Sequence, residues 1–343
     1  MMRDVLLFGL NACLDRRLVV EALTPGEVHR ASEVRLSPGG KGPNTAMAAR
    51  QLGLTATVFT ALAGHTGRLI AEQLRAYGVP FEALWAEGES RVTTIVLEVG
   101  PAPSEGDARR PAPRDTVLNE EGELGIDGSQ LGAFVELARE ALHDHRALLL
   151  AGSLPRGVDV QVYERLIRYA REQGRPVFVD VPGAVLRALL PHRPALAKPN
   201  RREFQEAAGL CVAGMPALVD AARRLLASGF GPDHLVISLG SEGAVLVNGT
   251  GAWLAPNPPV EPVDSASAGD AMMAALVDGH LRGEPPPAIL AWGVACGAAK
   301  VERPGGGFAL NPARARELLA AHVSVRPVPE PPPAAALAPS TAR

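Results

Sequence analysis

Cysteine is scarce in this 343-residue chain, and so is any surplus of charge. Cys13, Cys211 and Cys296 stand far apart and are odd in number, so they form neither a disulfide framework nor a zinc-ligand spacing. Buried thiols in a reducing cytoplasm are the expected state. Lysine and arginine total 34 against 37 acidic residues, a net charge of -3, which argues against a general binder of nucleic acid or anionic membrane. No apolar run approaches the ~20 residues of a membrane span. The apolar stretch at 5–10 is too short for a signal peptide and leads to no clear cleavage site. A Walker spacing and internal repeats are also missing. What remains is a chain 47% hydrophobic and 21% charged, able to bury a sizeable core as one large domain or two small ones.

Residues 5–10 read as a buried parallel strand. Asp15 follows that strand's carboxyl end, where open α/β sheets bind ligands; the plainer reading is a turn-forming aspartate. Residues 18–23 and 28–36 read as strands around a turn at Thr24-Pro25-Gly26. Further strands are predicted at 55–61, 79–84 and 92–99, with helices at 45–52 and 66–77. From residue 130 helices and strands alternate, through a helix at 216–227 with its proline first, a strand at 235–239 and a hairpin at 244–255, to two final helices. That order predicts an α/β fold whose mostly parallel sheet is covered on both faces. The β-rich pieces at about 18–36 and 92–118 break the alternation and predict a small sheet set apart as a lid. Between 100 and 114 lies a polar, proline-rich loop, expected to be mobile, with Arg109 and Arg110 solvated. The proline- and alanine-rich tail at 323–343 is expected to be disordered.

Two stretches carry candidate chemistry. In Val263-Asp264-Ser265-Ala266-Ser267-Ala268-Gly269-Asp270, small residues lead to a lone acid and an alanine-rich helix. Such a helix start presents unpaired N–H groups and a positive dipole end to an anion, and an Asp there can take a proton from an attacking hydroxyl. Simple capping by Asp264, Ser265, Ser267 and Asp270 is the competing reading. The second stretch, Ser37-Pro38-Gly39-Gly40-Lys41-Gly42-Pro43-Asn44, sets three glycines and a lysine before a helix, as a phosphate cradle or a tight turn does.

Taken together, the chain resembles the ribokinase-like sugar kinases, also called the phosphofructokinase B family. Gly39 through Ala46, with Gly53, is similar to the family's N-terminal signature, and Asp264 through Val277 to its C-terminal one. Lys198-Pro199-Asn200-Arg201-Arg202-Glu203 resembles its Asn-x-x-Glu motif, and Ser238-Leu239-Gly240-Ser241-Glu242-Gly243 its nucleotide-phosphate loop. Asn11-Ala12-Cys13-Leu14-Asp15, Leu118-Asn119-Glu120, Gly152-Ser153-Leu154-Pro155 and Ala295 through Ala299 are most similar to the group of 1-phosphofructokinases and tagatose-6-phosphate kinases.

The resemblance implies a three-layer α/β/α sandwich over 1–322 with a β-lid at about 12–37 and 90–120. It also implies a cytoplasmic enzyme that uses ATP, Mg²⁺ and a sugar phosphate, and a homodimer formed through the lid. Asp270 would be the base, with Ser267, Ala268 and Gly269 around the anion hole. Asp15, Gly40, Lys41, Asn44, Arg91, Asn119 and Ser153 would hold the acceptor. Lys198, Ser238, Gly240, Ser241, Gly243, Ser265 and Gly269 would hold the nucleotide. Asn200 and Glu203, at i and i+3, would hold the metal through its waters, unless they only form a capping box. Ser267 stands where the family usually has glycine, and Ile95 and Val117 where the lid usually carries basic residues. The expected reaction makes fructose 1,6-bisphosphate from fructose 1-phosphate. Tagatose 6-phosphate, fructose 6-phosphate, or an unphosphorylated sugar or nucleoside stays open as acceptor, as does a non-catalytic sugar-phosphate sensor.

Overall fold

The computed structural model describes residues 2–100 and 114–329. Its first half runs β1 (Arg3–Phe8), β2 (Cys13–Val20), β3 (Glu33–Gly39), α1 (Lys41–Gln51), β4 (Ala56–Ala63), α2 (Gly64–Ala76), β5 (Phe81–Glu89), β6 (Val92–Glu98), β7 (Arg114–Asn119), β8 (Glu123–Gly125), α3 (Gly128–Ala141) and β9 (His145–Ala151). There follow α4 (Gln161–Glu172), β10 (Val177–Asp180), α5 (Gly183–Leu189), β11 (Leu196–Ala197), α6 (Arg201–Ala208), α7 (Gly214–Ala227) and β12 (His234–Ser238). The hairpin β13 (Ala244–Asn248) and β14 (Gly251–Ala255) leads to α8 (Ala268–Leu281), α9 (Pro286–Val301), α10 (Pro312–Ala321) and β15 (Arg326–Pro327).

Eleven strands make the main sheet, in the order β15-β14-β13-β12-β11-β10-β9-β1-β4-β5-β8, parallel from β12 through β5. Alternate residues of each central strand enter opposite cores. Val5 and Leu7 pack with α1, α2, α8, α9 and α10, while Leu6 and Phe8 pack with α3 through α7. Each strand is therefore apolar on both faces, as a sheet between two helix layers requires. Helices α8 and α9 are apolar all round and bury nearly their full length. They touch closely because a Cβ on Gly293 would lie 2.9 Å from Leu276. A four-stranded sheet, β3-β2-β6-β7, stands apart; β2 pairs in parallel with β6, and the outer pairs are antiparallel.

Several boundaries differ from the sequence reading. β2 begins at Cys13, so Asp15 lies within a strand of the small sheet and not in a turn. The pairing strands are Cys13–Val20 and Glu33–Gly39, because the intervening segment carries Pro25 and leaves Val28 without packing partners. α1 starts at Lys41, with Pro43 in the first turn, where a missing N–H costs nothing. Pro216 is the third residue of α7, and three helices follow the last hairpin instead of two. Residues 323–329 belong to the fold: β15 pairs with β14, and Arg223 donates to the carbonyls of Val328 (2.8 Å) and Pro329 (3.0 Å). The remainder of the expected tail, 330–343, and most of the expected loop, 101–113 with Arg109 and Arg110, lie outside the described residues.

Candidate active site

The carboxyl ends of β1, β9, β10, β11 and β12 converge on the start of α8, where a doubly covered parallel sheet places its ligands. Ser267 caps α8 in the left-handed region, at φ 64 and ψ 7. A side chain held there costs on the order of 1 kcal/mol, which glycine would avoid. The conformation turns the chain into the helix, and Ala271 N–H donates to the Ser267 carbonyl at 3.0 Å. Ala268 N–H, expected at the anion hole, is instead engaged by the Ser265 carbonyl at 3.3 Å. The N–H groups of Gly269 and Asp270 meet no acceptor among the described residues, and they carry the positive end of the helix dipole.

Asp270, in that first turn, is buried. Burial first, then the charge of Asp180, push its carboxyl up to about 7, against the opposing pull of Lys41 and Lys198. The result is a carboxyl poised near neutrality, the property that general-base chemistry calls for. Around it the sequence assembles an ionic array. Asp180, which closes β10, accepts from Lys41 Nζ at 2.7 Å and lies 3.0 Å from Lys198 Nζ. Burial raises the Asp180 carboxyl, but the two ammonium groups outweigh it and hold it below the usual range. Asp180 Oδ2 remains a buried oxygen without a properly directed hydrogen bond. Lys41 also donates to Glu203 Oε1 at 3.0 Å, and these two carboxylates keep it charged despite burial. Lys198 Nζ reaches α8, since a Cβ on Gly269 would lie 3.5 Å from it.

Asn200 and Glu203 form a complete capping box on α6. Asn200 Oδ1 accepts from Glu203 N–H, and Glu203 Oε2 accepts from Asn200 N–H, each at 2.9 Å. The structure thus spends on capping the groups the sequence reading assigns to a metal. Among the described residues no three His, Cys, Asp or Glu side chains are grouped to hold a metal ion.

The residues expected to hold the acceptor lie where β2 and β6 pass the end of β1. Asp15 is buried, and burial raises its carboxyl although Arg17, Cys13, Asn44 and Arg91 oppose the rise. Cys13 Sγ donates to its Oδ1 at 3.3 Å. Position 39 must be glycine, because a Cβ there would come 2.0 Å from Asp15 Oδ1. Gly40 starts α1 at φ 88, a conformation open to glycine. Arg91 Nη2 donates to the Asn11 carbonyl at 3.3 Å, and its Nε is buried without a partner. Ser153 Oγ accepts from Asn11 Nδ2 at 2.8 Å, and Asn119 Oδ1 accepts from Thr93 Oγ1 at 3.1 Å. Asn44 Oδ1 accepts from Gly307 N–H at 3.0 Å. Lys41, expected on the sugar, is instead engaged by Asp180 and Glu203. In the small sheet Ile95 pairs with Val117 and is 2% exposed, so an apolar pair occupies the positions expected to be basic.

The loop after β12 brings Ser238 beside the Lys198–Asn200 segment, its N–H donating to the Pro199 carbonyl at 3.0 Å. Gly240, Ser241 and Gly243 form the tight turn that follows, with Gly240 at φ 63 and Gly243 at φ 99. Ser265 lies across from the small sheet, its N–H donating to Asp115 Oδ2 at 3.2 Å. The structure therefore gathers Asp270, Gly269, Lys198, Lys41 and Asp15 at one place, with Ser238 and its turn beside them. It adds Asp180, which sequence reasoning missed. Asp180 ends a continuous apolar strand, the same signal that drew attention to Asp15.

Residues 2–314 match the family described as pfkB family carbohydrate kinase. A 1-phosphofructokinase of Rhodobacter capsulatus is 32% identical over 275 residues, covering 78% of this chain and 81% of that protein. A 1-phosphofructokinase of Haloferax volcanii is 33% identical over 263 residues, covering 77% and 79%. The crystal structure of Escherichia coli phosphofructokinase-2 in complex with potassium superposes with a TM-score of 0.79 at 25% identity, covering 93% of this chain and 99% of that one.

Proposed function

The chain belongs to the pfkB family of carbohydrate kinases, and from that premise we propose that it phosphorylates fructose 1-phosphate with ATP as donor. It is a phosphotransferase acting on an alcohol group. One observation supports the assignment of its base: Asp270, raised to about 7, lies at the open N-terminus of α8 beside two free N–H groups. The acceptor hydroxyl gives its proton to Asp270 as its oxygen attacks the terminal phosphoryl of ATP in line. Gly269 and Asp270 N–H take up the charge that spreads over the transferring group. Lys198 neutralises charge at the same helix end, and the Ser238–Gly243 turn seats the nucleotide phosphates. Asp15 orients the acceptor by its hydroxyls, and Arg91 anchors the acceptor's own phosphate.

Asp180 and Glu203 are the oxygen donors that would hold a hard divalent cation, in exchange for the Lys41 and Lys198 ammonium groups that engage them. When bound there, Mg²⁺ would screen the phosphate charges of the nucleotide. Val34, Leu36 and Leu118 are exposed and share the face of the small sheet that turns away from Asp15. That apolar face supports a second copy of this chain as its partner, and a monomer by light scattering at micromolar concentration would remove this element of the reading. No helix is long and apolar enough to cross a membrane among the described residues. Two buried free cysteines accord with a reducing, cytoplasmic setting.

Ile95 and Val117 favour a second reading, in which the acceptor lacks a phosphate at the lid. ADP formation over fructose 1-phosphate, fructose 6-phosphate, tagatose 6-phosphate, free ketohexoses, ribose and adenosine separates the two, with Asp270→Asn as control. Asp270-dependent turnover that is fastest with fructose 1-phosphate is the expected result. Turnover confined to an unphosphorylated acceptor overturns the substrate, and turnover indifferent to Asp270 overturns the base.

A further inference from the structure

Three buried ionic groups outside the chemistry described above converge on the loop that opens α8. Asp264 is 1% exposed, Arg17 2% and Lys300 0%. Asp264 Oδ2 accepts from Arg17 Nε at 3.0 Å and from Gly305 N–H at 2.9 Å, and its Oδ1 accepts from Ala266 N–H at 3.0 Å. Lys300 Nζ, projecting from α9, donates to the Asp264 carbonyl at 2.9 Å and lies 3.5 Å from Oδ2. Arg17 extends from β2, where it also donates to Ser37 Oγ at 3.1 Å. Its Nη2 has no hydrogen-bond partner and lies 3.7 Å from Asp15 Oδ2. Two cations and two carboxylates thus balance in a dry cluster, and one guanidinium spans both halves of the site. Asp15 faces the acceptor, while Asp264 begins the segment that ends at Gly269 and Asp270.

Burying so many charges is costly unless each is paired, so the arrangement needs a reason beyond packing. Asp264 supplies one. Its main chain and side chain together receive four donors, from β2, from α9, from the segment after α9 and from its own loop, and it stands three residues before Ser267, whose left-handed conformation aims the first turn of α8.

We propose that Arg17 and Lys300 are positioning residues that hold Asp264, and through it the 264–269 loop, so that the free N–H groups of α8 face the transferring phosphoryl, with the Lys300 ammonium serving as a built-in monovalent cation. The inference rests on the kinase reading above. Neither residue is among those assigned to either substrate above. Their removal acts on the charge developed in the transition state, and so on kcat more than on either KM.

The test compares ADP formation by full-length wild type, Lys300→Met, Lys300→Ala and Arg17→Met, with fold and Tm followed by circular dichroism. Lys300→Met is expected to lower kcat about 20-fold or more while both KM values stay within about threefold. In Lys300→Ala the vacated space admits a small cation. Ammonium should there restore kcat by about fivefold over tetramethylammonium at equal ionic strength, a contrast that charge screening alone does not produce. Lower Tm with unchanged kcat in Lys300→Met, and no ammonium effect in Lys300→Ala, reduces the cluster to packing and overturns the inference. If the Lys300 variants do not fold, Arg17→Met decides, with about a tenfold loss of kcat expected and a loss under about twofold overturning it. A wild type without Asp270-dependent turnover overturns the kinase reading and this inference together. An active wild type with an indifferent Lys300→Met overturns this inference alone.

Discussion

The donor half and the acceptor half of the proposed site are built differently. On the donor side, groups come from the ends of elements in one sheet. Lys198 follows β11, Ser238 ends β12, and the Gly269 and Asp270 amides open α8. Their positions follow from helix and strand geometry, and several are main-chain groups that no substitution other than proline removes. On the acceptor side, Asp15 and Arg91 belong to β2 and the β5–β6 connection, and their geometry depends on a second sheet pairing correctly and then docking. On the proposed reading, phosphoryl chemistry is secured largely by backbone, and acceptor choice is left to side chains on a separable layer. A family built this way can change substrate without rebuilding its catalytic end.

The sharpest way to probe that contrast is at the joint. Asp270→Asn should lower kcat about 10³-fold, within the range for a lost general base, while KM for ATP stays within about threefold. The substitution should also raise Tm. The folded-state carboxyl titrates at about 7, above its unfolded value, so the stability present at low pH is lost as pH rises through about 7. Asparagine carries no such loss. Thermal melts of both proteins at pH 8 check this.

The next effect in size is the pH profile. With Asp270 needed as the free carboxylate, kcat/KM should rise about tenfold per pH unit below about 7 and level above it. A profile flat from pH 5.5 to 8 would place the base elsewhere.

On the acceptor side the expected signature is different. Arg91→Ala should raise KM for fructose 1-phosphate about tenfold and leave KM for ATP unchanged, as steady-state kinetics with each substrate varied would show. If both KM values move together, the halves are not separable. Smallest of all, Ser267→Gly relieves the left-handed strain and should raise stability by about 0.5 kcal/mol in urea unfolding, with kcat within about twofold.

The donor half was largely legible in the sequence, because a glycine-rich turn, a lone acid and an alanine-rich helix are local signals. Those signals mark Gly269 and Asp270 at the start of α8, whereas Lys198 and the Ser238–Gly243 turn enter only through the family resemblance. Ala268 was misread for a local reason as well: its amide folds back on Ser265 within the cap. Asn200 and Glu203 show the limit of spacing, since one i, i+3 pattern serves both a capping box and a pair of ligands. Lys41 was assigned to the sugar from its neighbours in the chain. Its real partners, Asp180 and Glu203, lie 139 and 162 residues away. Arg17 and Lys300 are harder still, for a charged residue in an apolar strand or helix announces a partner without saying which.

Among the described residues, side chains tie the small sheet to the body at both an inner and an edge strand: Arg17 on β2 to Asp264, and Asp115 on β7 to Ser265. A flap hinged at one end swings freely, but one moored at two strands cannot lift without exposing a buried ion pair. We therefore expect the acceptor to enter the proposed site at the rim of the small sheet. The association rate of the acceptor should follow solvent viscosity and salt in a single phase, with no slower opening step to wait for.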